Sequence, residues 1–95
     1  MTGKFELGTC AVSRGVHAQI PREEVILAIR RHHSGDWGEL EFKEDGPANE
    51  QALKDGSRIF SAYNAKDGTR FYVLTEAIGD DGHRSYTTAI LPEEY

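Results

Sequence analysis

The C-terminal part of the chain carries three strand patterns in succession, and this run constrains the fold more than any other feature of the sequence. Residues 58–63, 69–76 and 84–91 are rich in aromatic and β-branched side chains, which favour strands. Turn sequences separate them, one ending in Asp67-Gly68 and one spanning residues 79–83. Because short connections of this kind join neighbouring antiparallel strands, the run predicts a three-stranded β-meander.

The N-terminal half predicts one further strand and two helices. Residues 5–12 alternate loosely between apolar and polar side chains, which indicates an edge strand. Pro21 suits a first helical turn and Gly35 a left-handed cap, so a helix is expected over residues 21–33. Val25, Ile26 and Ile29 form its expected buried stripe. Similar end signals predict a second helix over residues 47–55.

Together these elements predict the fold class and the domain organisation. The expected fold is a single α+β domain over residues 1–95, with an antiparallel sheet of three to four strands and two helices packed on one face. A chain of 95 residues has no room for a large cofactor domain beside such a core. It contains no apolar run of the roughly 18 residues that a membrane helix needs and no apolar signal segment. We therefore expect a cytoplasmic protein, and the single Cys10 fits a reducing compartment.

The net charge of -5 is concentrated in one segment. Residues 36–55 hold seven acidic side chains and two lysines, a balance that equals the charge of the whole chain. Such a field repels a phosphate backbone, so nucleic acid is an unlikely partner for this segment. One interpretation is a solvated surface, and the other is a docking surface for a basic protein. The protein-binding residues predicted from this segment are Asp36, Trp37, Glu39, Glu41, Glu44 and Asp45.

The end of the first predicted helix offers an alternative site. Residues 31–38 read Arg-His-His-Ser-Gly-Asp-Trp-Gly, and His32 lies one helical turn before Asp36. A hydrogen bond between the two would fix the imidazole tautomer, as catalytic and metal-binding histidines require. This spacing therefore allows a metal- or histidine-dependent enzyme. The simpler interpretation is a helix end whose polar groups satisfy the turn.

Other chemistry receives little support from the sequence. The serines lack G-x-S-x-G surroundings, Cys10 lies in no nucleophile motif, and no glycine-rich phosphate-binding pattern occurs. We predict no catalytic residue, no metal ligand and no cofactor. A second alternative is single-stranded nucleic-acid binding by the sheet, through an aromatic and basic surface. Its candidate residues recur on the three predicted strands: Tyr63, Tyr72, Tyr86, Arg58, Arg70 and Arg84.

Several short motifs occur in a fixed order along residues 30–95. They are residues 31–38, Asn-Glu-Gln-Ala-Leu at 49–53, Gly-Ser-Arg-Ile at 56–59, Ser-Ala-Tyr at 61–63, Leu-Thr-Glu at 74–76 and Leu-Pro-Glu-Glu-Tyr at 91–95. This arrangement resembles a family of small uncharacterised bacterial proteins found on plasmids and other mobile elements. Some members carry a label as subunits of type I restriction-modification systems, but this chain has no room for the cofactor-binding domain of a methyltransferase.

The resemblance and the charge pattern together lead to one expectation of function. We expect a small non-enzymatic accessory protein of a mobile element that binds a protein partner through its acidic surface. A narrower version of this expectation is an inhibitor of a host defence nuclease.

Overall fold

A computed structural model describes residues 3–95 and shows an α+β fold with a four-stranded mixed sheet. Its strands are β1 (Thr9–Val12), β2 (Ile59–Asn64), β3 (Arg70–Thr75) and β4 (Tyr86–Ile90), in the spatial order β1-β4-β3-β2. Strands β2, β3 and β4 pair antiparallel to their neighbours. The predicted meander is therefore confirmed.

Strand β1 lies at the sheet edge, as predicted, but it pairs parallel to β4 and the sheet is not purely antiparallel. It is also shorter than predicted. Gly8 has a φ of +67°, and a Cβ atom there would lie 2.4 Å from the Arg84 carbonyl oxygen, so the strand begins only at Thr9. The Glu6 carboxylate accepts from the Arg84 amide at 2.9 Å. This contact places the starts of β1 and β4 at the same end of the sheet, as their parallel pairing requires.

Residues 3–95 also form three α-helices and one short 3₁₀ helix. They are α1 (Arg14–Gln19), α2 (Arg22–His33), α3 (Asp45–Asp55) and the 3₁₀ helix Pro92–Glu94. Helix α1 was not predicted, although its cap has a sequence signal: the Ser13 hydroxyl accepts from the Val16 amide at 3.1 Å. Every helix formed by residues 3–95 is too short or too polar to cross a membrane.

The core lies between one face of the sheet and helices α1 and α2. Its sheet side includes Tyr63, Phe71, Val73 and Ala89. On α2 the buried positions are Val25, Ala28 and His32, and Ile26 is 42% exposed. The predicted stripe of Val25, Ile26 and Ile29 is therefore wrong at Ile26, because α2 is turned so that the polar His32 enters the core.

Helix α3 and the loop before it cover the outer edge of β2. The Trp37 carbonyl accepts from the Ala62 amide, and the Ala62 carbonyl accepts from the Glu39 amide at 2.7 Å. The side-chain amide of Asn49 bonds both backbone groups of Phe60, at 2.6 and 3.0 Å. Asn49 thus ties α3 to the edge of β2.

The approach of the loop to β2 requires glycine at position 38. Gly38 has a φ of +73°, and a Cβ atom there would lie 2.1 Å from the Ala62 carbonyl oxygen. Gly68 has a similar φ of +93°, but nothing lies within 4 Å of its Cβ position. Substitution of Gly68 therefore reports the energetic cost of an unfavourable φ alone, whereas substitution of Gly38 adds the cost of a steric clash.

We expect Gly38→Ala to lower the free energy of unfolding by more than about 2 kcal/mol, since backbone strain and lost contacts add. Gly68→Ala should cost roughly 1 kcal/mol, from the unfavourable φ alone. Urea unfolding of the two variants measures the difference. Equal losses would show that the loop is not held closely against β2.

Candidate functional site

The segment 31–38 forms a turn in which the exposed Asp36 carboxylate is bonded by neighbouring residues of the same segment. Arg31 donates to both Asp36 carboxylate oxygens, at 2.7 and 3.2 Å, and the Gly38 amide donates to the same carboxylate at 3.1 Å. The guanidinium of Arg31 lowers the pKa of the Asp36 carboxyl. The predicted pair of His32 and Asp36 does not form, because Arg31 and the turn amide occupy the carboxylate.

His32 instead lies in the core, with both ring nitrogens hydrogen-bonded. Its side chain is fully buried, with Nδ1 2.6 Å from the Ser61 hydroxyl and Nε2 2.9 Å from the Thr75 hydroxyl. The Thr75 oxygen lies 2.7 Å from that of Thr87, and Thr87 donates to the Leu7 carbonyl. These contacts form one continuous chain from α2 through three strands to the N-terminal segment.

The end of this chain determines the tautomer of His32. The carbonyl of Leu7 only accepts, so it takes the single hydroxyl proton of Thr87. Thr87 must then accept from Thr75, and Thr75 must accept from the imidazole Nε2–H. Burial excludes a second ring proton, so Nδ1 is unprotonated and accepts from the Ser61 hydroxyl. Burial favours this neutral form and lowers the pKa of His32 to about 3, so the ring has neither the exposure nor the proton affinity of a general base near neutral pH.

Trp37 is half-buried at the edge of the core. Its indole N–H donates to the Glu50 carboxylate at 3.0 Å. The indole ring lies 6.3 Å from the ring of Phe5 and 6.0 Å from that of His32, measured between centroids. Trp37 and Asp36, both predicted to bind a partner, thus have well-defined partners within the fold.

The remaining predicted binding residues form an acidic ridge, which we define as Glu39, Glu41, Glu44 and Asp45. The three glutamates are exposed, and Asp45 is half-buried at the start of α3. None of the four forms an ion pair with another side chain within residues 3–95. Among the described residues, these four carboxylates therefore lack the direct ion pair that Asp36 forms with Arg31.

Phe42 lies between residues of the acidic ridge in sequence and lines a cleft on the open face of the sheet. Its side chain is 58% exposed. The cleft encloses about 380 Å³ between the ridge, α3 and an aromatic cluster. That cluster consists of Phe60, Tyr72 and Tyr95, with ring centroids 4.7 to 5.8 Å apart. Acidic and aromatic groups thus border one surface.

The open face of the sheet does carry aromatic and basic side chains, but they are not all the predicted ones. Tyr63 points into the core, where its hydroxyl donates to the Asp36 carbonyl at 2.6 Å. Arg84 is buried and donates to the carbonyls of Ser57, Glu76 and Ala52. The predicted set is therefore wrong at these two residues, because long-range backbone acceptors satisfy their polar groups inside the fold.

The two arginines that remain on the open face lie close to aromatic rings. Arg58 donates to the Tyr95 hydroxyl at 2.9 Å, and Arg70 donates to the Glu39 carbonyl at 2.8 Å. Each guanidinium carbon lies 5.8 Å from a ring centroid, of Tyr95 and Tyr72 respectively. The acidic ridge borders the same cleft, so this face presents a mixed charge and not a basic one.

Sequence reasoning missed Phe42 and Tyr95 as surface residues of this region. Phe42 had a signal, since it is the one aromatic residue between Glu39 and Asp45. Tyr95 had none, because its position against Phe60 depends on the turn of the 3₁₀ helix. Across residues 3–95, no group of three or more histidine, cysteine or acidic side chains is arranged to hold a metal ion.

Comparison with known proteins gives no match to this chain, whether against family models, curated proteins or solved structures.

The buried neutral His32 makes stability depend on pH. In the unfolded chain its pKa is the ordinary 6.5, and in the folded chain it is about 3. The unfolded state therefore binds the extra proton between these values, and stability is fully present above pH 6.5 and is lost as pH falls below it. The slope of unfolding free energy approaches ~1.4 kcal/mol per pH unit.

Urea unfolding between pH 7 and pH 4.5 tests this expectation above the range in which most carboxylates titrate. We expect His32→Gln to reduce the slope and His17→Gln, at an exposed position, to retain it. Identical slopes in the two variants would contradict the assignment of the pH dependence to His32.

Proposed function

We propose that the chain is a non-enzymatic cytoplasmic accessory protein that binds a basic protein partner through the acidic ridge. The observation that carries the proposal is the set of solvent-facing carboxylates without ion pairs among residues 3–95. Such charges strengthen association with a cationic surface and increase its rate.

The backbone under the ridge supports a role in recognition. Glu39 is held to β2 by its amide, and the side-chain hydrogen bonds of Asn49 hold α3 against the same strand. A binding surface on fixed elements loses less conformational freedom when a partner binds than a surface on a free loop. The backbone on both sides of the ridge is therefore held against the sheet.

The chemistry of the ridge describes the partner surface. Its carboxylates suit lysine or arginine side chains, and the exposed ring of Phe42 suits an apolar group or a guanidinium stacked on it. The cleft beside Phe42 has room for one such side chain. We therefore propose a partner with several basic residues around one anchoring side chain.

The motif resemblance narrows the class of partner. Mobile-element proteins operate among the DNA-processing enzymes of a host, and the DNA-binding surfaces of such enzymes are basic. Within the proposal, an acidic ridge that covers a surface of this kind would inhibit a host defence nuclease. This version is tested by adding the chain to purified nucleases and measuring cleavage, and unchanged cleavage rates would count against it.

The decisive experiment compares two triple variants with equal changes in net charge. One carries Glu39→Lys, Glu41→Lys and Glu44→Lys in the ridge. The other carries Glu76→Lys, Asp80→Lys and Glu93→Lys at exposed positions outside it. Each chain is immobilised and used for affinity capture from a native bacterial lysate, with circular dichroism to confirm folding.

We expect the wild type and the outer variant to retain the same partner and the ridge variant to lose it. Retention should also weaken as salt increases, because exposed charges are screened. A partner retained equally by both triple variants would contradict the proposal. Loss by both would assign the effect to net charge and would also contradict a role specific to the ridge.

A further inference from the structure

The two edges of the sheet differ in how their backbone groups are satisfied. The outer edge of β2 is covered by Trp37, Glu39 and Asn49. At the other edge, Thr9 and Ser13 donate their amides to β4, so the odd-numbered residues of β1 face the sheet. The N–H and C=O groups of Cys10 and Val12 therefore face outward, where residues 3–95 provide them with no partner.

Strand β1 is short, with four residues, but it lacks the other features that normally prevent an edge from pairing. Such edges carry charged residues, prolines or bulges, or are covered by another segment. The four residues of β1 are Thr-Cys-Ala-Val, and all four are exposed. Its outward backbone groups are therefore accessible to another strand.

An apolar groove continues from this edge over the core. It lies between β1 and helices α1 and α2, with a volume of about 780 Å³. Val12 is 44% exposed and Ile26 is 42% exposed along it, and the lining includes no carboxylate. The apolar surface and the open strand edge thus occur together.

We propose that β1 pairs antiparallel with β1 of a second copy of the chain, joining two sheets into one of eight strands. Pairing Cys10 with Val12 of the partner copy, and Val12 with its Cys10, satisfies all the outward groups of both strands. Only this register uses both residues, because shifting by two residues leaves one of them opposite a position outside the strand. The edge is therefore complementary to itself.

The small side chain of Ala11 fits the centre of this arrangement. In the proposed register it lies opposite its own copy, in a pair without direct hydrogen bonds, where Cα atoms approach to about 4.5 Å. The side chains of Cys10 and Val12 point to the groove side of the sheet, since they are aligned with Thr87 and Ala89. The apolar residues of the two grooves are thereby brought to one side of the joint.

The charge distribution favours a second copy at this edge. The acidic residues 36–55 lie by β2, three strand spacings or roughly 14 Å from β1. Across the joined sheet the two acidic edges are separated by seven spacings, roughly 34 Å, which far exceeds the screening length of about 8 Å at physiological salt. Two chains of charge -5 thus meet where their repulsion is weakest.

Disulfide trapping tests the register. In a Cys10→Ser background, Ala11→Cys places two thiols within the range of Cα separations that a disulfide accepts. Thr9→Cys, on the same side of the strand, is the matched control, because its two copies would be about 13 Å apart along the strands. We expect mild oxidation to link the Ala11→Cys chains into covalent dimers and to leave the Thr9→Cys chains unlinked. Equal linking of both, or of neither, would overturn the proposal.

Sedimentation equilibrium tests the association without a cross-link. We expect the wild type to approach twice the 10.6 kDa of one chain as concentration rises, and Val12→Lys to remain at the mass of one chain. Phe42→Lys, at a more exposed apolar position by the opposite edge, should associate like the wild type. A wild type that stays at 10.6 kDa would overturn the proposal. This holds even if a foreign peptide strand, when added, protects the Cys10 amide from hydrogen exchange, because the edge would then bind a different partner.

This test is independent of the proposed function, because the ridge variants leave β1 unchanged and Val12→Lys leaves the ridge unchanged.

Discussion

The hydrogen-bond chain through His32 is the constraint on which the rest of the structure depends. A buried imidazole and three buried hydroxyls have no water to bond, so each must find its partner in the fold or destabilise it by an amount comparable to a lost hydrogen bond. Ser61, Thr75 and Thr87 provide these partners from three neighbouring strands. The rotation of α2 and the register of the sheet are thereby fixed together, which also turns Ile26 outward.

The parts of the fold that the sequence predicted are those whose signals are local. The turn at Asp67-Gly68 joins strands that pair with each other, and Pro21 immediately precedes the first turn of α2. The partner of β1 was not predictable in this way. Strand β1 lies far from β4 in sequence. A loose apolar alternation indicates that a strand forms, but it does not indicate which strand pairs with it or in which direction.

The site shows the same division. An excess of acidic residues is visible in the sequence, and the ridge glutamates are indeed exposed. Residue type alone was misleading for His32, Tyr63 and Arg84, which were considered as surface or site residues. Each is buried because a long-range partner satisfies its polar atoms, such as the three carbonyls that receive the Arg84 guanidinium. Such partners are known only once the fold is known.

The cover over β2 has a consequence for how far assembly can proceed. In the proposed pair the outer edges are those of β2, where Trp37, Glu39 and Asn49 already bond the outward backbone groups of Phe60 and Ala62. Growth then ends at a closed pair, whereas a sheet with two open edges can add chains without limit. Gly38, which allows the loop to approach β2, would thus limit the proposed assembly to two copies.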